Sequence, residues 1–147
     1  MDSIDKLTNL YNEKYLKIAL EQEVLRTKRF EREFSLLQLS LIFPEKVKQD
    51  MLYRVLKQVG SFIKMYTRSI DIGVRYGDNV LVILPETPFD GAQRAGDKIK
   101  EQIEKHIFIH QDKAGRFEFN VTVEVKIATY PKDGNDRKSL MDFLKNE

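Results

Sequence analysis

Arg68-Ser69-Ile70-Asp71-Ile72-Gly73-Val74-Arg75-Tyr76-Gly77-Asp78-Asn79-Val80-Leu81-Val82-Ile83-Leu84-Pro85 is the stretch that decides the fold. It reads as two short strands around a tight turn. Ile70, Ile72, Val74 and Tyr76 lead up to Gly77-Asp78-Asn79, residue types that tolerate the positive φ of a primed hairpin turn. The unbroken apolar run Val80–Leu84 leads away and predicts a strand covered on both faces, deep in a sheet. Pro85 ends it, since proline cannot donate to a ladder. Both strands are therefore expected inside the sheet, with the turn at Gly77–Asn79.

Outward from this hairpin the chain alternates helical and extended patterns. On the N-terminal side Asn12 is a candidate N-cap for a helix reaching about Phe30, with Tyr15, Leu16, Ala19, Leu20 and Val24 on one face. The mixed charge run Arg26–Glu33 reads as a solvated helix end. Phe34–Phe43 is a strand too apolar for an exposed edge, stopped by Pro44. Val47–Tyr66 is a helix with Leu52, Val55, Leu56, Val59, Ile63 and Tyr66 at helical spacing. On the C-terminal side Thr87 is a candidate N-cap with Pro88 at the first position of a helix running to about His106, buried through Ala92, Ala95, Ile99 and Ile103. Phe117–Tyr130 alternates strictly and predicts one long strand. Pro131 and Asp133–Asp136 form a turn before a last helix, Ser139–Lys145.

Composition bounds the function. The 147 residues, 41% hydrophobic and 33% charged, suit a single domain, 1–147, with its own core. A net charge of +2 gives no electrostatic case for a nucleic-acid partner. With no cysteine there are no disulfides or thiolate metal sites, which fits a cytoplasmic setting. No apolar run approaches a membrane span, so direct membrane insertion is not expected. The two histidines, His106 and His110, have a spacing of four that would suit a metal only on a continuing helix; with no third ligand beside them, none is assigned.

Several motifs resemble the GGDEF domain, the bacterial diguanylate cyclase module. Asp5-Lys6-Leu7-Thr8-Asn9-Leu10-Tyr11-Asn12 is similar to the family's Asp-x-Leu-Thr-Gly-Leu-Tyr-Asn, with Asn9 in place of Gly. Leu56-x-x-Val59-Gly60-x-x-Ile63 followed by Arg68-x-x-Asp71 is similar to Leu-x-x-Val-Ala-x-x-Leu…Arg-x-x-Asp. Arg75-Tyr76-Gly77-Asp78-Asn79-Val80 stands where the family has Arg-Tyr-Gly-Gly-Asp/Glu-Glu-Phe, one residue short, without the second Gly or the last Glu. Val121–Tyr130 resembles Val-Thr-Val-Ser-x-Gly-Val-Ala. The resemblance implies an α/β (α+β) palm fold like that of adenylyl cyclases, with a ferredoxin-like core and a mixed central sheet flanked by helices.

It also implies a degenerate member. The family's first strand ends in Asp-x-Asp, whose first Asp binds Mg²⁺; here those positions fall on Ser40 and Ile42, which cannot hold a hard cation beside a triphosphate. The loop after that strand, which helps recognise guanine in the family, is shortened, and the basic continuation of the last helix is missing. Asp78 alone makes a weak Mg²⁺ site, so no catalytic residue, metal or cofactor is assigned. One constellation survives. In the family, Arg-x-x-Asp ahead of the signature turn is the inhibitory site for cyclic di-GMP, and Arg68 and Asp71 sit in that frame. Arg68 would supply the cation for phosphate or base stacking, Asp71 the acceptor for guanine, and Lys98 (or Arg94) a further charge from the following helix. Their side chains are expected to point outward together. The expectation is a non-catalytic regulatory domain that receives cyclic di-GMP. A module acting only through protein contacts, with other signalling domains or a second copy, is the alternative, and a residual cyclase the third.

Overall fold

The apolar runs become central strands because each is sandwiched between two helical layers. In the computed structural model, which describes residues 2–45 and 47–146, the order is α1 (Glu13–Arg29), β1 (Phe34–Ile42), α2 (Gln49–Tyr66), β2 (Ile72–Tyr76), β3 (Asn79–Leu84), α3 (Phe89–Lys105), β4 (Phe108–Asp112), β5 (Gly115–Phe119), β6 (Thr122–Tyr130) and α4 (Arg137–Lys145). The main sheet runs β2-β3-β1-β6, and all three of its ladders are antiparallel. A mixed sheet was expected; β3 inserts between β1 and β2, the two strands joined by a helical crossover, so no parallel ladder forms. This is the ferredoxin-like order.

Strand periodicity sorts the core into two halves. From β1 and β3, Leu37, Leu39, Leu41, Val80, Val82 and Leu84 face α2 and α3. Phe34, Leu36, Leu81 and Ile83 face α1 and α4. That is why Val80–Leu84 needs no polar residue: every position is buried.

The hairpin differs from expectation in two respects. Tyr76 pairs with Asn79, so the turn is the two-residue Gly77-Asp78, and Asn79 belongs to β3. Gly77 takes φ +63°, the left-handed value required at the first position of such a turn. Second, only β3 is internal; β2 is an edge strand. Its edge is blunted by the N-terminal segment: Tyr11 N donates to Gly73 O (3.0 Å) and Arg75 N to Tyr11 O (2.9 Å). The turn before Tyr11 explains Asn9, whose φ of +62° glycine favours and asparagine tolerates. The other edge, β6, is capped by side chains. Val123 N donates to Glu104 Oε2 (2.9 Å) and Val123 O accepts from Lys100 Nζ (2.6 Å), while Thr129 exchanges bonds with Asp133. Such capping discourages strand addition. The hydrogen bond from Lys100 holds Glu104 below the usual carboxylate range despite its partial burial.

Three further expectations are corrected. Phe117–Tyr130 is not one strand: β5 pairs with β4 in a separate hairpin, and the chain breaks at Asn120, whose Nδ2 donates to Glu104 O and His106 O (3.2 and 3.1 Å). Thr87 is not the cap of α3. Pro88 holds that position without a side-chain bond, and the Thr87 hydroxyl is spent elsewhere, as described below. His106 ends α3 and His110 lies in β4, so the two do not share a helix face. Asn12 caps α1 as expected, accepting from Tyr15 N at 3.1 Å. No described helix is long and apolar enough to cross a membrane.

Candidate functional site

Two clefts carry the residues singled out by sequence. The first lies at the signature turn. Arg75 organises it: Nε donates to Gly77 O (3.0 Å), and Nη1 to Asp5 Oδ1 (3.3 Å). Gly77 N donates to Glu13 Oε1 (3.0 Å), tying the turn to the start of α1. Asp5 is partly buried, which disfavours its charge, but bonds from Thr8 Oγ1 and N and the Arg75 guanidinium outweigh this and hold its carboxyl below the ordinary value. Asp78 projects into solvent with its side chain 60% exposed and 4.0 Å from Arg75. Asn79 turns the other way, its Oδ1 accepting from Leu41 N (3.1 Å). That bond and the β1–β3 register set the end of β1 beside the turn. There Ser40 Oγ accepts from Gln38 Nε2 and Ile42 is exposed. Gly77, Asp78 and Asn79 are thus brought to Ser40 and Ile42, and the only carboxylate they contribute is Asp78. Among the described residues no three Asp, Glu, His or Cys side chains are grouped so as to hold a metal ion.

The second cleft, of about 400 Å³, lies where α2 runs into β2. Helix α2 stops at Tyr66; Thr67 turns extended and its hydroxyl donates back to Ile63 O (2.6 Å). Arg68 and Asp71 then close a corner. Arg68 Nη2 and Nε reach Asp71 Oδ1 at 2.8 and 3.1 Å, and Arg68 N reaches Oδ2 at 2.7 Å. Nη2 also donates to Pro85 O (3.0 Å) and Thr87 Oγ1 (2.7 Å). Arg68 therefore clasps the end of α2 to the end of β3. The expectation that both side chains point outward is corrected: Arg68 is 51% exposed, but the Asp71 side chain only 3%. A carboxylate accepting that many bonds is drawn under its donor.

From α3, Arg94 and Lys98 line the same cleft and are both exposed. Lys98 Nζ stands 5.4 Å over the ring of Tyr66, whose hydroxyl donates to Gln102 Oε1 (3.1 Å). One helical turn separates Arg94 from Lys98, so the structure brings together both cations that the sequence left as alternatives. Thr87 is the residue sequence reasoning missed here. A threonine before proline at a helix start signals a cap, and only the fold brings it to Arg68. The histidines take no part: His106 packs against Phe62 and Phe108, and buried His110 meets Asp112 at 3.3 Å.

A four-stranded antiparallel sheet between two helical layers, with Arg-Tyr-Gly entering a tight turn beside the end of the first strand, defines a cyclase-type palm domain. The sequence model of the family described as diguanylate cyclase, GGDEF domain, matches residues 2–145, and the chain belongs to the GGDEF family. It is 26% identical to the response regulator PleD of Caulobacter vibrioides over 142 residues, an alignment covering 93% of this chain and 31% of PleD. The chain thus spans about a third of that relative. Its fold is similar to that of the FimX GGDEF domain from Pseudomonas aeruginosa, with a TM-score of 0.85 at 16% identity over 99% of this chain and 90% of that one. It is also similar to the GGDEF domain of DgcB from Caulobacter crescentus, solved in complex with c-di-GMP, with a TM-score of 0.84 at 18% identity over 97% and 83% of the two chains.

Proposed function

We propose that this GGDEF domain is catalytically silent and acts in bacterial signalling as a receptor for cyclic di-GMP, held in the cleft between Arg68 and Lys98. The observation that carries the proposal is the cleft itself: Arg68 from the α2–β2 corner and Arg94 and Lys98 from α3 all line it, and the Arg68–Asp71 pair keeps its place at that corner. Three cations beside an aromatic ring suit a ligand with two phosphates and flat bases. Silence rests on the end of β1. A hydroxyl at Ser40 and a hydrocarbon at Ile42 supply no charge to bind Mg²⁺ against a triphosphate, and the exposed Asp78 is the one carboxylate that the signature turn itself brings to them. Incubation with GTP and Mg²⁺ is expected to yield no cyclic di-GMP by chromatography. Product that disappears in Asp78→Ala would contradict the proposal.

One observation favours a second reading. Arg68 spends its backbone N, Nε and Nη2 on Asp71, Pro85 O and Thr87 Oγ1, a clasp that would serve as architecture alone, in which case the domain would act through protein contacts.

A further inference from the structure

We infer that β5 is a dimerisation edge: two copies of the chain pair their β5 strands antiparallel about a two-fold axis at Phe117, joining their hairpins into one sheet ordered β4-β5-β5-β4. Backbone geometry leaves that edge free. The turn Lys113-Ala114 has two residues, so the pair that flanks it, Asp112 and Gly115, exchanges hydrogen bonds, as do the alternate pairs His110–Phe117 and Phe108–Phe119. The N–H and C=O groups of Arg116 and Glu118 therefore point away from β4. Among the described residues no other strand or backbone group bonds to them. The main sheet is treated differently. Its β2 edge is taken up by Tyr11, and its β6 edge by the side chains of Lys100, Glu104 and Asp133. An edge strand without such cover is a template for another strand.

The charges along this edge select a second copy as the partner. Arg116 and Glu118 lie on the outer face of the hairpin, their side chains 55% and 53% exposed. Charges of one sign on an edge strand repel a second copy. Here the signs alternate. Pairing about Phe117 sets Arg116 opposite the partner's Glu118, and Glu118 opposite the partner's Arg116. Both are hydrogen-bonded pairs, so the backbone bonds and the two ion pairs form together. Moving the axis to Arg116 or to Glu118 would oppose like charges across it, so the charges also fix the register. The neighbours across β4, Gln111 and Ile109, are uncharged and oppose neither sign. On the inner face Phe117 is only partly buried against the core under α2 and α3. Across the axis it meets the partner's Phe117 in a non-hydrogen-bonded pair, where side chains approach most closely. A strand of five residues buries less than the roughly 1,200 Å² of a stable complex, so the dimer is weak, with a Kd between about 1 μM and 1 mM.

Sedimentation velocity across that concentration range tests this on the whole chain, with wild type, Arg116→Glu, Glu118→Arg and an equimolar mixture of the two variants. No ligand is present, so the outcome is independent of the receptor reading. Wild type should pass from monomer to dimer. Each variant alone would oppose like charges twice in the dimer, and should self-associate at least about tenfold more weakly. Both should keep the wild-type melting temperature, since the ion pair they break is exposed. Mixing the variants restores two pairs of opposite sign, and dimer should return with a Kd within about threefold of wild type. A wild-type chain that stays monomeric throughout, single variants that dimerise like wild type, or a mixture that stays monomeric would each overturn the inference.

Discussion

Ile83→Asp is expected to leave the chain largely unfolded in dilute buffer. Ile83 is fully buried in β3, paired with Leu36 of β1 on one side and Ile72 of β2 on the other. Its side chain points to the face covered by α1 and α4, among Leu20, Val74 and Leu140. The side chains around it in that cluster are apolar, so a carboxylate there would be desolvated. A change of this kind costs about 4–5 kcal/mol or more, against a total stability of roughly 5–15 kcal/mol for a domain. Loss of the cooperative thermal transition in circular dichroism would meet the expectation. Leu25→Asp on α1, where the side chain is 69% exposed, should leave the transition in place. A folded Ile83→Asp protein with near-native melting would mean that β3 is not the strand at the centre of both cores.

The second large effect is at the corner. From sequence alone, Arg68→Ala should remove ligand binding and leave melting nearly unchanged, since an exposed ion pair contributes little. The structure changes the second half of that expectation. Arg68 bonds not only Asp71 but also Pro85 O and Thr87 Oγ1, and truncation leaves a nearly buried carboxylate without its donor. The cost should be about 1–3 kcal/mol, lowering Tm by roughly 3–10 °C in a chain of this size. Thermal denaturation of Arg68→Ala checks it. An unchanged Tm would show that the clasp is not formed in solution.

How much of this was legible in the sequence depends on how far each signal reaches along the chain. The central strands announced themselves because an unbroken apolar run such as Val80–Leu84 has few uses other than burial on both faces. Capping by Asn12 is likewise local, a side chain meeting a backbone amide three residues on. The single long strand over Phe117–Tyr130 failed for an instructive reason. Phe119, Val121 and Val123 all face the same core, so the alternation continues through a break in pairing. What breaks it is Asn120 reaching back to the end of α3, a contact no periodicity records. The overlooked strand β4 did carry a period-2 signal, with Phe108 and His110 buried and Ile107 and Ile109 exposed. The adjoining helix pattern masked it.

The candidate site was legible in its residues but not in its geometry. Arg68, Asp71 and Lys98 come to one cleft, as their register in the family's motif implied. The direction of Asp71 was hidden because it depends on Pro85 and Thr87, which reach Arg68 only after β3 has folded back along β2. A hydroxyl before Pro-Phe, as at Thr87, is a local cap signal. The fold gave that hydroxyl a stronger, charge-assisted partner.

Under the proposed function, cyclic di-GMP is expected to bind in the cleft between Arg68 and Lys98 and not at the signature turn. Titrating it into isotope-labelled protein and following the backbone amides tests this residue by residue. The largest shifts should fall on Thr67–Asp71 and Arg94–Lys98, with Gly77, Asp78 and Glu13 unmoved. Shifts centred on Gly77 and Asp78, or none anywhere at saturating ligand, would contradict the account.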